Sequence, residues 1–302
     1  MARMKQFTFN ELPTVRESKI VAVGVGDSGN NIINYMINEK TSGIELIIAN
    51  TDEQNSYESL RQTLEGADVI FVVVGLGGTT GTVKASSIAK IAKDVGALTI
   101  GITSKPFSFE GHKRRGIAEA GLTTLKSECD SVVVIPNDKL LSIIDPKAQI
   151  KVSFKIVDGV FSRVINAIAG VIIPSGENDI NLDFADLQTI MIHRGVAVIG
   201  IGEHQGNSAA HEAINDAMKF AMVDGLTMQD ASGVVVHFNM HSEFHFMELS
   251  VAMEVVQRSV GESTEVIFAT TTDESLPLDF IRVTVIATGV EKIPMVAANN
   301  VY

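Results

Sequence analysis

Two glycine-rich segments in this chain have the composition of phosphate-holding turns. Gly24-Val25-Gly26-Asp27-Ser28-Gly29 follows the β-branched run Lys19–Val25 and precedes a helical pattern in which Ile33, Met36 and Ile37 recur. Glycines there let the backbone approach a phosphate, and a helix N-terminus adds N–H groups and a positive dipole end. Gly75–Thr82 holds four glycines and three threonines in eight residues, again after an apolar run and before a helical pattern. Its amides and hydroxyls suit di- or triphosphate oxygens. No GxxxxGK[ST] occurs, so the pair is not a P-loop. Two such turns in one sheet fit a nucleotide whose phosphates span the gap between them.

Three further segments carry polar groups. Within Pro106–Arg115, Arg114 or Arg115 can face phosphate and Glu110 can accept ribose hydroxyls; a solvated basic helix start is the plain alternative. In Asn181–Asp186, Asp183 and Asp186 stand three apart at the start of a helix, where anions are stabilised. Capping explains one of them. Both, with Asn181, can orient a water for attack on a phosphoryl group. His237, His241 and His245 recur every four residues, but Val234–Phe238 reads as a strand, so they do not converge on a metal. GxGxxG with Asp52 at the end of the next strand also admits an NAD(P)-dependent oxidoreductase, which leaves Gly75–Thr82 and Asn181–Asp186 unexplained.

The elements that position these groups follow from periodicity. Strands are expected at Lys19–Val25, Ile44–Ala49, Val69–Val74, Leu98–Thr103 and Ser131–Ile135, alternating with helices at Asn30–Asn38, Ser56–Glu65, Lys84–Lys93 and Gly116–Lys126. That alternation predicts an α/β fold with a doubly wound parallel sheet over residues 1–150. Lys151–Val171 carries one long apolar stripe and reads as a central helix; with the acidic helix start it fills 151–194. Strands at Gly195–Gly202, Gly233–Phe238, Glu265–Thr270 and Phe280–Thr288, with two helices, predict a smaller α/β domain with a mixed sheet at 195–290. Its last two strands are expected as a hairpin, and 291–302 as a tail. The 302 residues are 45% hydrophobic, enough for a sizeable core, and their net charge of 24 − 36 = −12 opposes binding to nucleic acid or anionic membrane. The lone Cys129, the lack of an apolar N-terminal run and the strand-length apolar stretches predict a cytoplasmic protein without membrane insertion.

In order from Lys19 to Gly289, these motifs resemble FtsZ, the bacterial cell-division relative of tubulin. Gly24–Met36 resembles its first glycine loop, Ala49–Asp52 its second, Gly75–Thr82 the tubulin signature, and Pro106–Arg114 and Ile135–Leu141 the next blocks. Asn181–Asp186 resembles the catalytic loop that acts on a neighbour's nucleotide. The resemblance implies GTP/GDP binding with Mg²⁺ carried by the phosphates. It implies contacts from Gly26, Asp27, Ser28, Asn30, Asn31, Gly77, Gly78, Thr79, Thr80, Gly81, Thr82 and Asn137. Asn31 and Asp158 would read the guanine with Phe154 packed on it, and Glu110 and Arg114 would hold ribose and phosphate. Asn181, Asp183 and Asp186 would supply catalysis in trans, in a head-to-tail homopolymer that hydrolyses GTP, at the division site, with a full-length FtsZ or other division proteins as further partners. Three departures point towards a paralogue with reduced turnover: a short link after Asp52 in place of a γ-phosphate-sensing loop, Asp27, Ser28 and Asn30 in the first loop, and Thr79 and Val83 in the signature. The chain is also expected to lack the family's terminal linker and peptide.

Overall fold

The computed structural model describes residues 18–49, 56–141, 144–173, 179–181, 184–192, 196–221 and 228–290. Nine strands form one sheet: β1 (Ile20–Val25), β2 (Glu45–Ala49), β3 (Val69–Gly75), β4 (Leu98–Lys105), β5 (Ser131–Pro136), β6 (Val196–Gln205), β7 (Gly233–Met240), β8 (Glu265–Thr272) and β9 (Phe280–Thr288). Their order is β2-β1-β3-β4-β5-β6-β9-β7-β8. Strands β1 to β6 pair in parallel. Antiparallel β9 lies between β6 and β7, and β8 pairs with β7 in parallel. The expected β8–β9 hairpin is therefore incorrect. Strand β9 is buried along nearly its whole length, so it needs a neighbour on each side, whereas β8 is half-exposed and takes the edge. Strands β6–β9 extend the first sheet through a short parallel register, Val132 to Val196 and Val133 to Ala197.

Helices cover both faces. Residues alternate between faces along a strand, and the buried sets divide accordingly. Ala22, Phe71, Val73, Ile100 and Val133 pack against α1 (Gly26–Asn38), α6 (Ile150–Gly170) and α7 (Phe184–Met191). Val21, Val23, Ile70, Val72 and Val132 pack against α2 (Ser56–Leu64), α3 (Thr79–Asp94) and α4 (His112–Glu128). The short α5 (Asn137–Leu140) follows β5. In the second half of the sheet, Val234, Val236, Phe238 and Val283 bury α8 (Ala209–Ala221) and α9 (Phe246–Ser259) on one face. Val235, Ala269 and Ile286 turn to the opposite face and join the cluster of α6 and α7. Helix α6 thus buttresses both halves of the sheet. Its stripe of Val157, Phe161, Val164, Ile165 and Ile168 is fully or nearly fully buried, as its 3.6-residue period requires.

Close approach explains two glycines in β6. A Cβ on Gly200 would stand 1.8 Å from the Ala217 carbonyl oxygen, and one on Gly202 1.9 Å from that of Ala213, so α8 packs directly on the strand backbone. Helix α6 is tied to the second half of the sheet by charge. Glu203 Oε1 accepts from Arg163 Nη1 at 2.7 Å and from Arg282 Nε at 2.8 Å. Burial alone would raise the Glu203 carboxyl, but the two guanidiniums outweigh it and hold it below its ordinary value.

Candidate functional site

Strands β1 and β3 are neighbours, yet α1 leaves β1 towards one face and α3 leaves β3 towards the other. That divergence is the switch point at which open α/β sheets take ligands. Both glycine segments lie there and touch. Gly26 has φ +69°, and a Cβ on it would stand 3.1 Å from Gly81 Cα. A Cβ on Gly29 would come 2.2 Å from the Val73 carbonyl oxygen, which forces glycine where α1 crosses β3. Each helix begins earlier than its periodicity predicts, at Gly26 and Thr79, so both segments contribute the first turn of a helix. Neither N-cap residue, Val25 or Gly78, supplies a side-chain cap. Two helix N-termini therefore converge with their first-turn amides uncapped by side chains, which is an anion site in backbone form.

The individual residues divide into those that face outward and those that shape the turns. Gly78, Thr79 and Thr80 are exposed, and a Cβ on Gly78 would meet nothing within 4 Å. Asp27, Ser28 and Asn31 are exposed on the first turns of α1. Thr82, by contrast, is buried and its hydroxyl accepts from the Gly77 N–H at 3.2 Å, so it fastens the turn from within. Asn30 does the same for the first turn. Oriented to satisfy its amide, it donates to the carbonyls of Gly26 and Gly24 at 3.2 and 3.0 Å.

The next crossover forms a wall beside these turns. A Cβ on Gly77 (φ +108°) would lie 3.2 Å from the Arg114 carbonyl oxygen and 3.3 Å from Pro106 Cγ. Glu110 accepts from the Phe107 N–H at 2.8 Å with one oxygen and from Arg114 with the other. These two side chains hold each other, with Arg114 the more exposed. Asn137 opens α5, and among the described residues its buried Oδ1 has no hydrogen-bond partner.

Helix α6 leads away from this edge of the sheet. Gly159 packs against Tyr35, since a Cβ on it would stand 3.1 Å from the Tyr35 hydroxyl, and Gly43, beyond α1, meets Ile173, beyond α6. The two helices therefore run the same way. Asn31 lies one turn before Tyr35 on α1, and Phe154 one turn before Asp158 on α6. Phe154 is 56% exposed. Asp158 is half-buried, and burial pushes its carboxyl up to about 6.

The acidic segment lies beyond the far end of α6. The backbones of Ile180 and Thr270 bond at 3.0 Å, and Thr270 Oγ1 accepts from the Ile180 N–H at 2.8 Å. Asn181 is half-buried, and Asp186 stands exposed in the first turn of α7. Asp183, like Asp52, falls outside the described residues. With 21 residues α6 is about 31 Å long, so Asp186 and the glycine turns of one chain lie towards opposite edges. Sequence reasoning missed Asp179: among the described residues neither of its buried carboxylate oxygens has a hydrogen-bond partner. It also missed a cleft of about 1080 Å³ between α6 and strands β7–β9, where His237 bonds Thr271 Oγ1 at 2.8 Å. That cleft is separate from the glycine turns. Burial, with a smaller contribution from the Arg282 charge, pulls the His237 ring down to about 4.

A doubly wound sheet with two glycine turns at its switch point, a long helix and a second mixed set of strands defines a nucleotide-binding protein of the tubulin class. The family description "Tubulin/FtsZ family, GTPase domain" matches residues 48–145, and "FtsZ family, C-terminal domain" matches 195–291. The chain is 34% identical to the cell division protein FtsZ of Helicobacter pylori, with 93% of this chain and 82% of that protein covered. The FtsZ dimer of M. jannaschii superposes with a TM-score of 0.82 at 31% identity, covering 92% of this chain and 90% of that one. A CetZ from Methanosaeta thermophila shares the fold at 16% identity, with a TM-score of 0.68 and 92% and 88% covered. The chain belongs to the FtsZ family, the cell-division GTPases that share a fold with tubulin.

Proposed function

We propose that this chain binds GTP at the two glycine turns and hydrolyses it only at a head-to-tail contact between copies. The observation that carries this reading is the separation of the two half-sites by α6, about 31 Å along its axis. In this reading Asp186, beyond that helix, does not reach the phosphates of its own chain, and a second copy stacked end to end would bring the Asn181–Asp186 segment to them. A heterologous contact of this kind does not close on itself and produces filaments. The cradle suits the ligand: uncapped helix N-termini for phosphate, an exposed Gly78 for close approach, and Asp158 as an acceptor for guanine N–H groups. Mg²⁺ would be held by the phosphates of the bound nucleotide and would supply neutralisation of their charge. The reaction belongs in the cytoplasm at the division site, with self-association as the primary partnership. The family descriptions also favour a division into a GTPase unit up to about residue 150, the α6–α7 connection, and a C-terminal unit over 195–290.

A second reading keeps nucleotide binding without effective turnover. Asp27 supports it, because a carboxylate in the first turn of α1 repels the phosphates that the turn would otherwise attract. One experiment separates the two. Phosphate release per subunit is measured across protein concentrations, with Asp186→Ala beside the wild type. Release that rises with concentration and vanishes in the variant supports hydrolysis in trans. Tight GDP and GTP binding with negligible release supports the second reading. Release that is constant per subunit and indifferent to Asp186 refutes the trans mechanism.

A further inference from the structure

A side-chain strut between Asp138 and Ser108 joins the crossovers after β4 and β5. Asp138, in the first turn of α5, accepts the Ser108 N–H at 2.8 Å through one carboxylate oxygen and the Ser108 hydroxyl through the other. The two donors, hydroxyl first, hold the Asp138 carboxyl below its ordinary value, with Arg115 adding a smaller pull. Ser108 opens the 3₁₀ turn Ser108–Glu110. Within that turn Glu110 caps the Phe107 N–H and holds Arg114, and Phe107 stacks on Phe109 with ring centroids 5.0 Å apart. The Arg114 backbone in turn lies against Gly77. A continuous line of contacts thus runs from α5 through Asp138, Ser108, Glu110 and Arg114 to the glycine-threonine turn. The residue before Asp138 is Asn137, whose buried Oδ1 has no partner among the described residues.

We infer that Asp138 is a positioning residue for the nucleotide: through Ser108 it fixes the wall formed by residues 106–114 against the glycine-threonine turn and orients the Asn137 amide. The inference rests on the proposed nucleotide site. Both members of the strut are exposed, so it contributes little to global stability, and its value lies in registering two loops that no strand pairing connects. Preorganised walls act on ligand affinity, because an untethered loop must be ordered when the ligand binds.

The test compares wild type, Ser108→Ala, Asp138→Ala and Ser108→Thr by GDP titration, by steady-state GTP turnover and by thermal unfolding. The inference expects Kd for GDP and KM for GTP to rise about tenfold in both alanine variants. It expects kcat at saturating GTP to stay within about twofold and the apo Tm within about 2 °C. Ser108→Thr, which keeps the donor hydroxyl, restores wild-type affinity. Unchanged affinity in both alanine variants overturns the inference while leaving the site itself standing. So does a loss of Tm and kcat in step with affinity, or a threonine variant as weak as alanine. A wild-type chain that binds neither nucleotide overturns the inference together with the proposed function.

Discussion

Acid should weaken this fold through one buried histidine. His237 is 5% exposed, on β7, with Thr271 and the backbone of Gly170 around its ring. Burial first, and the Arg282 charge second, lower it from 6.5 to about 4. The ring is neutral in the fold, while the unfolded chain takes up a proton below pH 6.5. Its contribution is therefore complete above 6.5 and lost as pH falls through 4. At 1.36 kcal/mol per pH unit, the whole interval is worth about 3 kcal/mol, of which about 1.4 kcal/mol is gone by pH 5.5. The assay is urea unfolding of wild type and His237→Gln at pH 7.5 and 5.5, with glutamine chosen to keep a partner for Thr271. Glu203, held low by its arginines, and Asp158, held high by burial, titrate in both proteins and cancel in the comparison. The wild type should lose about 1.4 kcal/mol more than the variant between the two pH values. Equal losses would show that His237 is not held neutral, and the account of its environment would be wrong.

Two glycine substitutions should separate folding from ligand approach. Gly29→Ala drives a Cβ to 2.2 Å from the Val73 carbonyl oxygen and should cost about 3 kcal/mol or more in chemical denaturation. Gly78→Ala meets open space at φ −88°, so the apo protein should unfold as the wild type does or slightly later, yet nucleotide affinity by calorimetry should fall at least about tenfold. In the proposed site Asp158, pushed up to about 6, can accept two guanine N–H groups at once only when both its oxygens are free of a proton. GTP affinity should therefore fall about tenfold between pH 7.5 and 5, with proton release on binding near pH 6, and Asp158→Asn should abolish that dependence.

The first half of the fold was legible because its inner strands are apolar, β-branched-rich runs buried on both faces, as Ile20–Val25 and Val69–Val74 illustrate. The β8–β9 order was misread because a short link between strands suggests a local hairpin. The burial of Phe280–Thr288 on both faces includes Thr284 and Thr288, so it is set by packing between β6 and β7 and not by apolar patterning. Helix starts were placed late at Gly26 and Thr79 because glycine and threonine disfavour helix interiors, whereas here they form uncapped first turns. Spacing indicated which residues gather at the switch point but not which way each points. That Thr82 turns inward to Gly77, and that Glu110 is occupied by Phe107 and Arg114, depends on the backbone path of each turn, which residue types alone do not fix. The Ser108–Asp138 strut spans 30 positions and leaves no local pattern.

The arrangement of α1 and α6 makes the trans mechanism testable without any structural probe of a filament. Because the glycine turns and Asp186 of one chain lie towards opposite edges, the proposed mechanism lets a defect in either edge leave the other usable. Gly78→Ala damages the phosphate turn but keeps the acids, and Asp186→Ala removes an acid but keeps the turn. Each variant alone should be nearly inactive. In an equimolar mixture, random head-to-tail stacking pairs an intact turn with an intact acidic segment at about one contact in four, so about a quarter of the wild-type rate should return. Catalysis confined to one chain predicts no recovery at any ratio, and that result would sink the mechanism even if both variants still assembled.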